Sequence, residues 1–285
     1  MIDRKELKAE AREAIRGTKP SPVLVTLAVV AILLVTQALS LSLNGDLKAY
    51  RTMAEEYILN GRFVYVEPTA SGGAFPWLLT LALDLMSLVI GVGYTLYCMR
   101  VSRRQSPSFG DVFDAFGLFL RAVALSLLRS IVVSLASFIY AVPAAMLGVA
   151  IGPVTATVVC LPLLAPRFIL AYSYRLAAYI LLDDPAYPAI QCLMLSRAAM
   201  KGRKKELFLL DLSFLGWMLL CLFPPAILWV RPYMDVTCAG WYDRVMPGFT
   251  EELKRRAAEP RPDPGPSPWQ IPGEPRNDED DGEGR

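Results

Sequence analysis

Leu193–Lys205, LMLSRAAMKGRKK, runs directly into Leu207–Trp217, LFLLDLSFLGW, an apolar stretch with one aspartate, Asp211, near its start. A cluster of arginine and lysine beside an apolar run marks the cytoplasmic boundary of a membrane-spanning helix. A carboxylate just inside that boundary needs a partner. This junction predicts an all-α, polytopic membrane protein, and the remainder of the chain is read outward from it.

The composition agrees. Hydrophobic residues make up 54% of the 285 residues, above the usual share of a soluble domain, and the charges are crowded into a few intervals. No charge falls between Pro20 and Gly45 or between Ser130 and Pro166. The first interval is long enough for one crossing of about 20 residues and the second for most of two. The formal net charge of +2 conceals a division between a basic amino-terminal segment with basic interior loops and an acidic end, NDEDDGEGR. The basic residues lie against apolar runs, where membrane orientation accounts for them, so no nucleic-acid partner is expected. The chain contains no histidine, which removes imidazole general bases, histidine metal ligands and histidine-based triads. Its five cysteines lack metal-ligand spacing and read as small core hydrophobes. No catalytic residue, metal or cofactor is expected.

Asp3 and Glu6 have capping-box spacing, and Leu7, Ala11 and Ile15 recur every four residues among bases, predicting an amphipathic cytoplasmic helix over residues 1–20. Six spans follow within a domain at 21–246: about 22–43, 76–99, 117–142, 150–174, 207–223 and 227–245. A polar outer loop occupies 44–75, Pro143 with the Gly148, Gly152 and Pro153 group is expected to give an outward turn or a broken helix start, and Ala189–Lys205 reads as one surface helix. Prolines recur in EPRPDPGPSPWQIPGEP, so 247–285 is expected to be a disordered, proline-rich acidic tail without helix. This layout puts six bases of the first twenty residues, three at Arg100–Arg104 and five at Arg197–Lys205 inside, with both termini cytoplasmic. Five spans would put the tail outside.

Four charges fall inside the spans. Counting about 1.5 Å per residue places Asp84 and Arg129 at one depth and Asp211 and Arg121 at another, which predicts two intramembrane pairs. An arginine near the midplane costs about 2.5–3.5 kcal/mol on the insertion scale, so Arg129 should face the bundle. A pair that fixes helix register is favoured over an ion path, because no chain of acids continues across the membrane. Ser126, Ser130, Ser134 and Ser137 recur at helical spacing and read as a close-packing face. Arg197, Lys201, Arg203 and Lys204 are the candidate contacts for anionic lipid headgroups.

Several blocks carry a family resemblance: RKELKAEAREAIRG at Arg4–Gly17, SFGDVFDAF at Ser108–Phe116, AYSYRLAAYILLDDP at Ala171–Pro185, SRAAMKGRKKELFLLDLSFLGW at Ser196–Trp217 and LWVRPYMDVTCAGWY at Leu228–Tyr242. Over about residues 1–245 the chain resembles the bacterial integral-membrane family catalogued as domain of unknown function 975. It departs at Arg203, Lys204 and Lys205, at Pro224 and Pro225, and in the long tail. The resemblance implies a multi-span protein of bacterial plasma membranes and assigns no activity, so no functional residue is carried over. The expected function is a non-enzymatic scaffold, accessory or envelope-associated role; a small permease or lipid-handling protein with a cavity between spans is the alternative. Membrane lipids, anionic headgroups at the cytoplasmic face and a membrane-protein partner are the expected contacts.

Overall fold

The computed structural model describes residues 3–43, 46–60 and 74–258, and all regular structure among them is helical. The chain divides into two compact units, Met1–Met246 and Pro247–Arg285. Three stretches are long and apolar enough to cross a membrane: Pro22–Leu43, Ala74–Ser102 and Asp111–Gly148. Their apolar side chains point outward in large number; Leu34, Val35, Phe138 and Met146 are each more than 60% exposed. Surface of this kind belongs against lipid or another protein.

Helix α1 is Arg4–Gly17, and the Asp3 carboxylate caps it by accepting from the Lys5 amide at 2.8 Å. Its buried face consists of Leu7, Ala11 and Ala14. Helix α2, Pro22–Leu43, runs antiparallel to α4, Ala74–Ser102. Three contacts set the register: the Tyr97 hydroxyl donates to the Pro20 carbonyl at 3.0 Å, Thr26 bonds Tyr94 at 2.8 Å, and Thr36 bonds Ser87 at 3.1 Å.

The polar stretch between these helices departs from expectation. Asp46–Asn60 forms α3, fifteen residues long, in place of the expected loop. Helix formers dominate it, and an Arg51–Glu55 pair spaced four apart, 2.7 Å long, adds support. Residues 61–73 of the expected loop lie outside the described residues.

After α4 comes the short α5, Asp111–Asp114, then a 3-10 turn at Ala115–Leu118 and α6, Phe119–Ile151. Gly93 permits a close crossing here, because a Cβ at that position would run into the Val112 carbonyl. Of the residues expected to give the outward turn or a broken helix start, Pro143 lies inside the helix and the break falls at Gly152 and Pro153. Helix α6 continues through Pro143 to Ile151 and ends at Gly152, whose φ of +87 suits glycine. Helix α7, Pro153–Cys160, then a 3-10 turn at Leu161–Leu164 and α8, Ala165–Ser173, form the return path; α7 and α8 both pack on α6.

Helices α9, Ala177–Asp183, and α10, Ala189–Ala199, follow. The surface helix expected to reach Lys205 stops early because Gly202 takes a φ of +82, a left-handed conformation that ends a helix. The stretch 207–223, expected as one crossing, is divided between α11, Lys204–Leu212, and α12, Leu215–Leu220. The Ser213 hydroxyl donates to the Leu210 carbonyl at 2.5 Å and tightens the turn between them. Pro224–Ala226 forms a 3-10 turn, and α13 is Ile227–Ala258. The last twelve residues of α13 correct the reading of 247–285 as helix-free. The stretch TEELKRRAA, at 250–258, is rich in helix formers, and the dense prolines begin only at Pro260, outside the described residues.

Helix α13 runs parallel to the second half of α4. The Arg231 guanidinium lies over the Tyr94 ring at 5.8 Å, Gly240 sits against Ser102, and Asp243 pairs with Arg103 at 2.7 Å. By this register Ile227 lies level with Ile90, about 24 Å short of the Ala74 end of α4. Helix α12 leads back along the start of α13, since Phe214 and Trp217 both meet the Tyr233 ring, with centroids 5.1 and 5.7 Å away. Helices α12 and α13 therefore form a hairpin whose tip, residues 221–226, reaches only part of the way along α4. The buried core gathers around the Val89–Val101 half of α4, while its Ala74–Met86 half is largely exposed.

Candidate functional site

The polar groups converge near the basic end of α4. Helix α8 ends on Tyr172 and Ser173, and Arg175 follows before α9 begins. Tyr172 and Arg175, three residues apart, both reach the same oxygen of Asp211 on α11. The Tyr172 hydroxyl donates to Asp211 Oδ2 at 2.8 Å, and the Arg175 guanidinium pairs with it. The second arm of Arg175 donates to Cys238 Sγ on α13 at 3.2 Å. Phe208 meets the Tyr172 ring edge-on at 6.1 Å and shields one side. Asp211 Oδ1 is buried and has no hydrogen-bond partner among the described residues. Three segments are thus joined through one carboxylate oxygen, and the other oxygen is left as a free acceptor.

A second ion cluster lies beside it. Arg103 donates to Asp183 at 2.8 Å and to Asp243 at 2.7 and 3.0 Å, and the Tyr242 hydroxyl donates to Asp183 at 3.2 Å. Burial works against the Arg103 charge, but the hydrogen bonds to Asp243 and Asp183 outweigh it and raise its pKa. Arg100 pairs with Asp111 and, at 3.0 Å, with Asp114. This holds the SFGDVFDAF segment against α4.

Helix α1 is strapped across the same region. Leu7 rests on Gly240, where a Cβ would lie 3.2 Å from Leu7 Cδ1 and from Ser102 Oγ. Arg244 pairs with Glu10 at 2.7 Å, and Arg104 pairs with Glu13 at 2.8 Å. Lys8 donates to the Ser213 carbonyl at 2.8 Å and lies 3.9 Å from the centre of the Phe214 ring; Arg12 donates to the Tyr233 hydroxyl at 3.2 Å. Burial, with Arg12 and Arg4 nearby, lowers the Lys8 pKa. A cleft of about 650 Å³ opens beside the carboxyl end of α1. Arg16, Lys19 and Arg104 line it together with Glu13, and Arg104 holds a left-handed φ of +54.

Of the two expected charge pairs, neither forms. Asp211 takes Arg175, and the proposed partner Arg121 donates instead to the Pro185 carbonyl. Arg129 is half-buried near Arg175 and has no ion-pair partner among the described residues; Asp84 is exposed on α4. The depth count failed because it measured Asp84 from an outer boundary at 76 and Arg129 from an inner boundary at 117, whereas the helical path that carries Arg129 begins at Asp111. Arg129 neighbours Arg175, which touches Cys238 near the Ser102 end of α4, while Asp84 lies eighteen residues, about 27 Å, from Ser102. Arg197 and Lys201 are exposed and Arg203 and Lys204 half-buried around the break between α10 and α11. Sequence reasoning missed Arg175, Arg103, Asp183 and Asp243. The spacing of Tyr172 and Arg175 at a helix end was the available signal for the first of these.

No curated protein matches the chain, and no solved structure does. The profile of the family described as "Protein of unknown function (DUF975)" matches residues 1–247. That match spans most of the 285 residues and contains every helix crossing and ion pair described above, and the chain therefore belongs to the DUF975 family.

Proposed function

We propose that the chain is a non-enzymatic integral protein of the bacterial plasma membrane, with a scaffold or accessory role exercised through its cytoplasmic face. The observation that carries this reading is the charge-neutral Arg175–Asp211–Tyr172 centre. Its cation and acid satisfy one another across α8, α11 and the segment before α9, as expected of a structural tie. The absence of histidine from the sequence supports the same reading. In this reading α2, α4, α6 and the α7–α8 path cross the bilayer, and α12–α13 enters from the cytoplasmic side and returns. This replaces the last two of the six expected crossings with one hairpin and keeps both termini cytoplasmic. The bases of α1, Arg100–Arg104 and Arg197–Lys205 then all lie inside.

Reconstitution tests the role. Purified protein in vesicles of phosphatidylethanolamine and phosphatidylglycerol should leave proton and potassium permeability at the empty-vesicle level, and Asp211→Asn should lower stability without changing permeability. Saturable flux that Asp211→Asn abolishes would overturn the reading.

A lipid-handling role is the second reading, favoured by the cleft bearing Arg16, Lys19 and Arg104 at the start of α2. With Arg197, Lys201, Arg203 and Lys204 it supplies cations at headgroup level. Retention of phosphatidylglycerol over phosphatidylcholine during purification, lost on Arg16→Gln with Lys19→Gln, would support it; equal retention would count against it.

A further inference from the structure

Helices α2 and α4 approach each other at Thr36 and Ser87. Gln37 follows Thr36 by one residue, and Asp84 precedes Ser87 by three. A helix turns about 100° per residue, so both side chains rotate away from the contact by less than a right angle or close to it. Because the two helices are antiparallel, those rotations carry Gln37 and Asp84 to the same face of the pair. Both are exposed, and neither has a hydrogen-bond or ionic partner among the described residues. Nearby, Ser40 Oγ is buried without a hydrogen-bond partner among the described residues.

Farther along that face α13 provides cover. Ser102 lies five helical turns from Asp84, hence on the same side of α4, and Gly240 of α13 sits against it. The cover ends where α13 begins, level with Ile90, and Asp84 lies about 9 Å beyond. Trp77 and Leu81, exposed on the same side, complete an apolar surface with one donor and one acceptor set into it. A carboxylate and a carboxamide facing hydrocarbon are strongly disfavoured unless something satisfies them.

We propose that this face is a homodimer interface in which the Gln37 amide of each copy donates to the Asp84 carboxylate of the other. A two-fold axis along the membrane normal brings together groups at equal depth, and it requires a self-complementary patch. Gln37 lies about 3 Å in height from Asp84 by the Thr36–Ser87 register, and amide and carboxylate are complementary donor and acceptor. Symmetry makes the bond twice. Polar side chains bonded across helices are a recognised means of fixing partner and register within a bilayer. The inference rests on the membrane placement proposed above.

Full-length copies labelled separately with a donor and an acceptor dye, reconstituted together in phosphatidylethanolamine and phosphatidylglycerol vesicles over a series of dilutions, test it. Energy transfer should follow a monomer–dimer equilibrium. Asp84→Leu or Gln37→Leu should move its midpoint about tenfold toward higher protein density. The exchange variant Gln37→Asp with Asp84→Gln should restore the wild-type midpoint, since the pair is recreated with its ends reversed. Wild-type protein that enters vesicles yet shows only chance transfer at every dilution overturns the dimer. Single variants with an unchanged midpoint, or an exchange that fails to restore it, overturn the pairing. Failure of correctly folded protein to enter vesicles would instead overturn the membrane placement.

Discussion

Arg175 neutralises Asp211 from 36 positions earlier in the chain, and it does so on the carboxylate oxygen that Tyr172 also holds. The pair fastens the end of α8 to α11 across the segment that contains α9 and α10. Removing either partner leaves the other charge partly buried without compensation. Arg175→Met and Asp211→Leu should each destabilise the fold by about 2 kcal/mol, and the double variant should lose less than the sum. Denaturant unfolding in detergent reads this, and strict additivity would show that the two side chains do not interact. Tyr172→Phe should cost about 1 kcal/mol.

Gly93 gives a sharper steric test. Adding a methyl group there drives it into the Val112 backbone, which cannot swing aside like a side chain. Gly93→Ala should destabilise by about 1–3 kcal/mol. Gly91→Ala, with nothing within 4 Å of the new atom, should match or exceed wild type. Equal unfolding midpoints for the two variants would contradict the close crossing of α4 and α5.

The docking of α1 should depend on packing more than on its ion pairs. Leu7 is only 1% exposed, so Leu7→Ala should cost about 2–3 kcal/mol and open residues 4–17 to proteolysis. Arg244→Gln removes a pair whose side chains are 28% and 51% exposed and should cost about 0.5 kcal/mol. A reversed ranking would mean that charge, not the Leu7–Gly240 contact, seats the helix.

Chemical labelling decides the course of α12 and α13. In a background with all five cysteines replaced by serine or alanine, Leu222→Cys at the hairpin tip should resist a membrane-impermeant maleimide added to either side, and Ser106→Cys should react from the cytoplasmic side alone. Labelling of Leu222→Cys from outside would restore two full crossings.

Much of the fold was legible because local chemistry and length fixed it. Asp3 marks the start of α1, the uncharged run after Lys19 becomes α2, and Arg100 to Arg104 mark the end of α4. The hairpin was not legible. Residues 207–223 have the length and composition of a crossing, and only the contacts of Phe214 and Trp217 with Tyr233, together with the register of α13 on α4, reveal how little of α4 the pair accompanies. The partner of Asp211 was hidden for a related reason. Depth counting compared charges inside presumed spans, and Arg175 lies just past the end of one. The exposure of Asp84 could not be read from sequence either, since it depends on where α13 stops.

The seat of α1 also fixes an order of events during synthesis. Leu7 needs Gly240, and Glu10 needs Arg244, 234 positions later. The ribosome must therefore complete nearly the whole first unit before the helix that leads it can take its place. Until then Leu7, Ala11 and Ala14 lack the α13 part of the surface they cover. Seating of α1 therefore follows the emergence of Gly240 and Arg244, and it makes the helix a check that α13 has arrived.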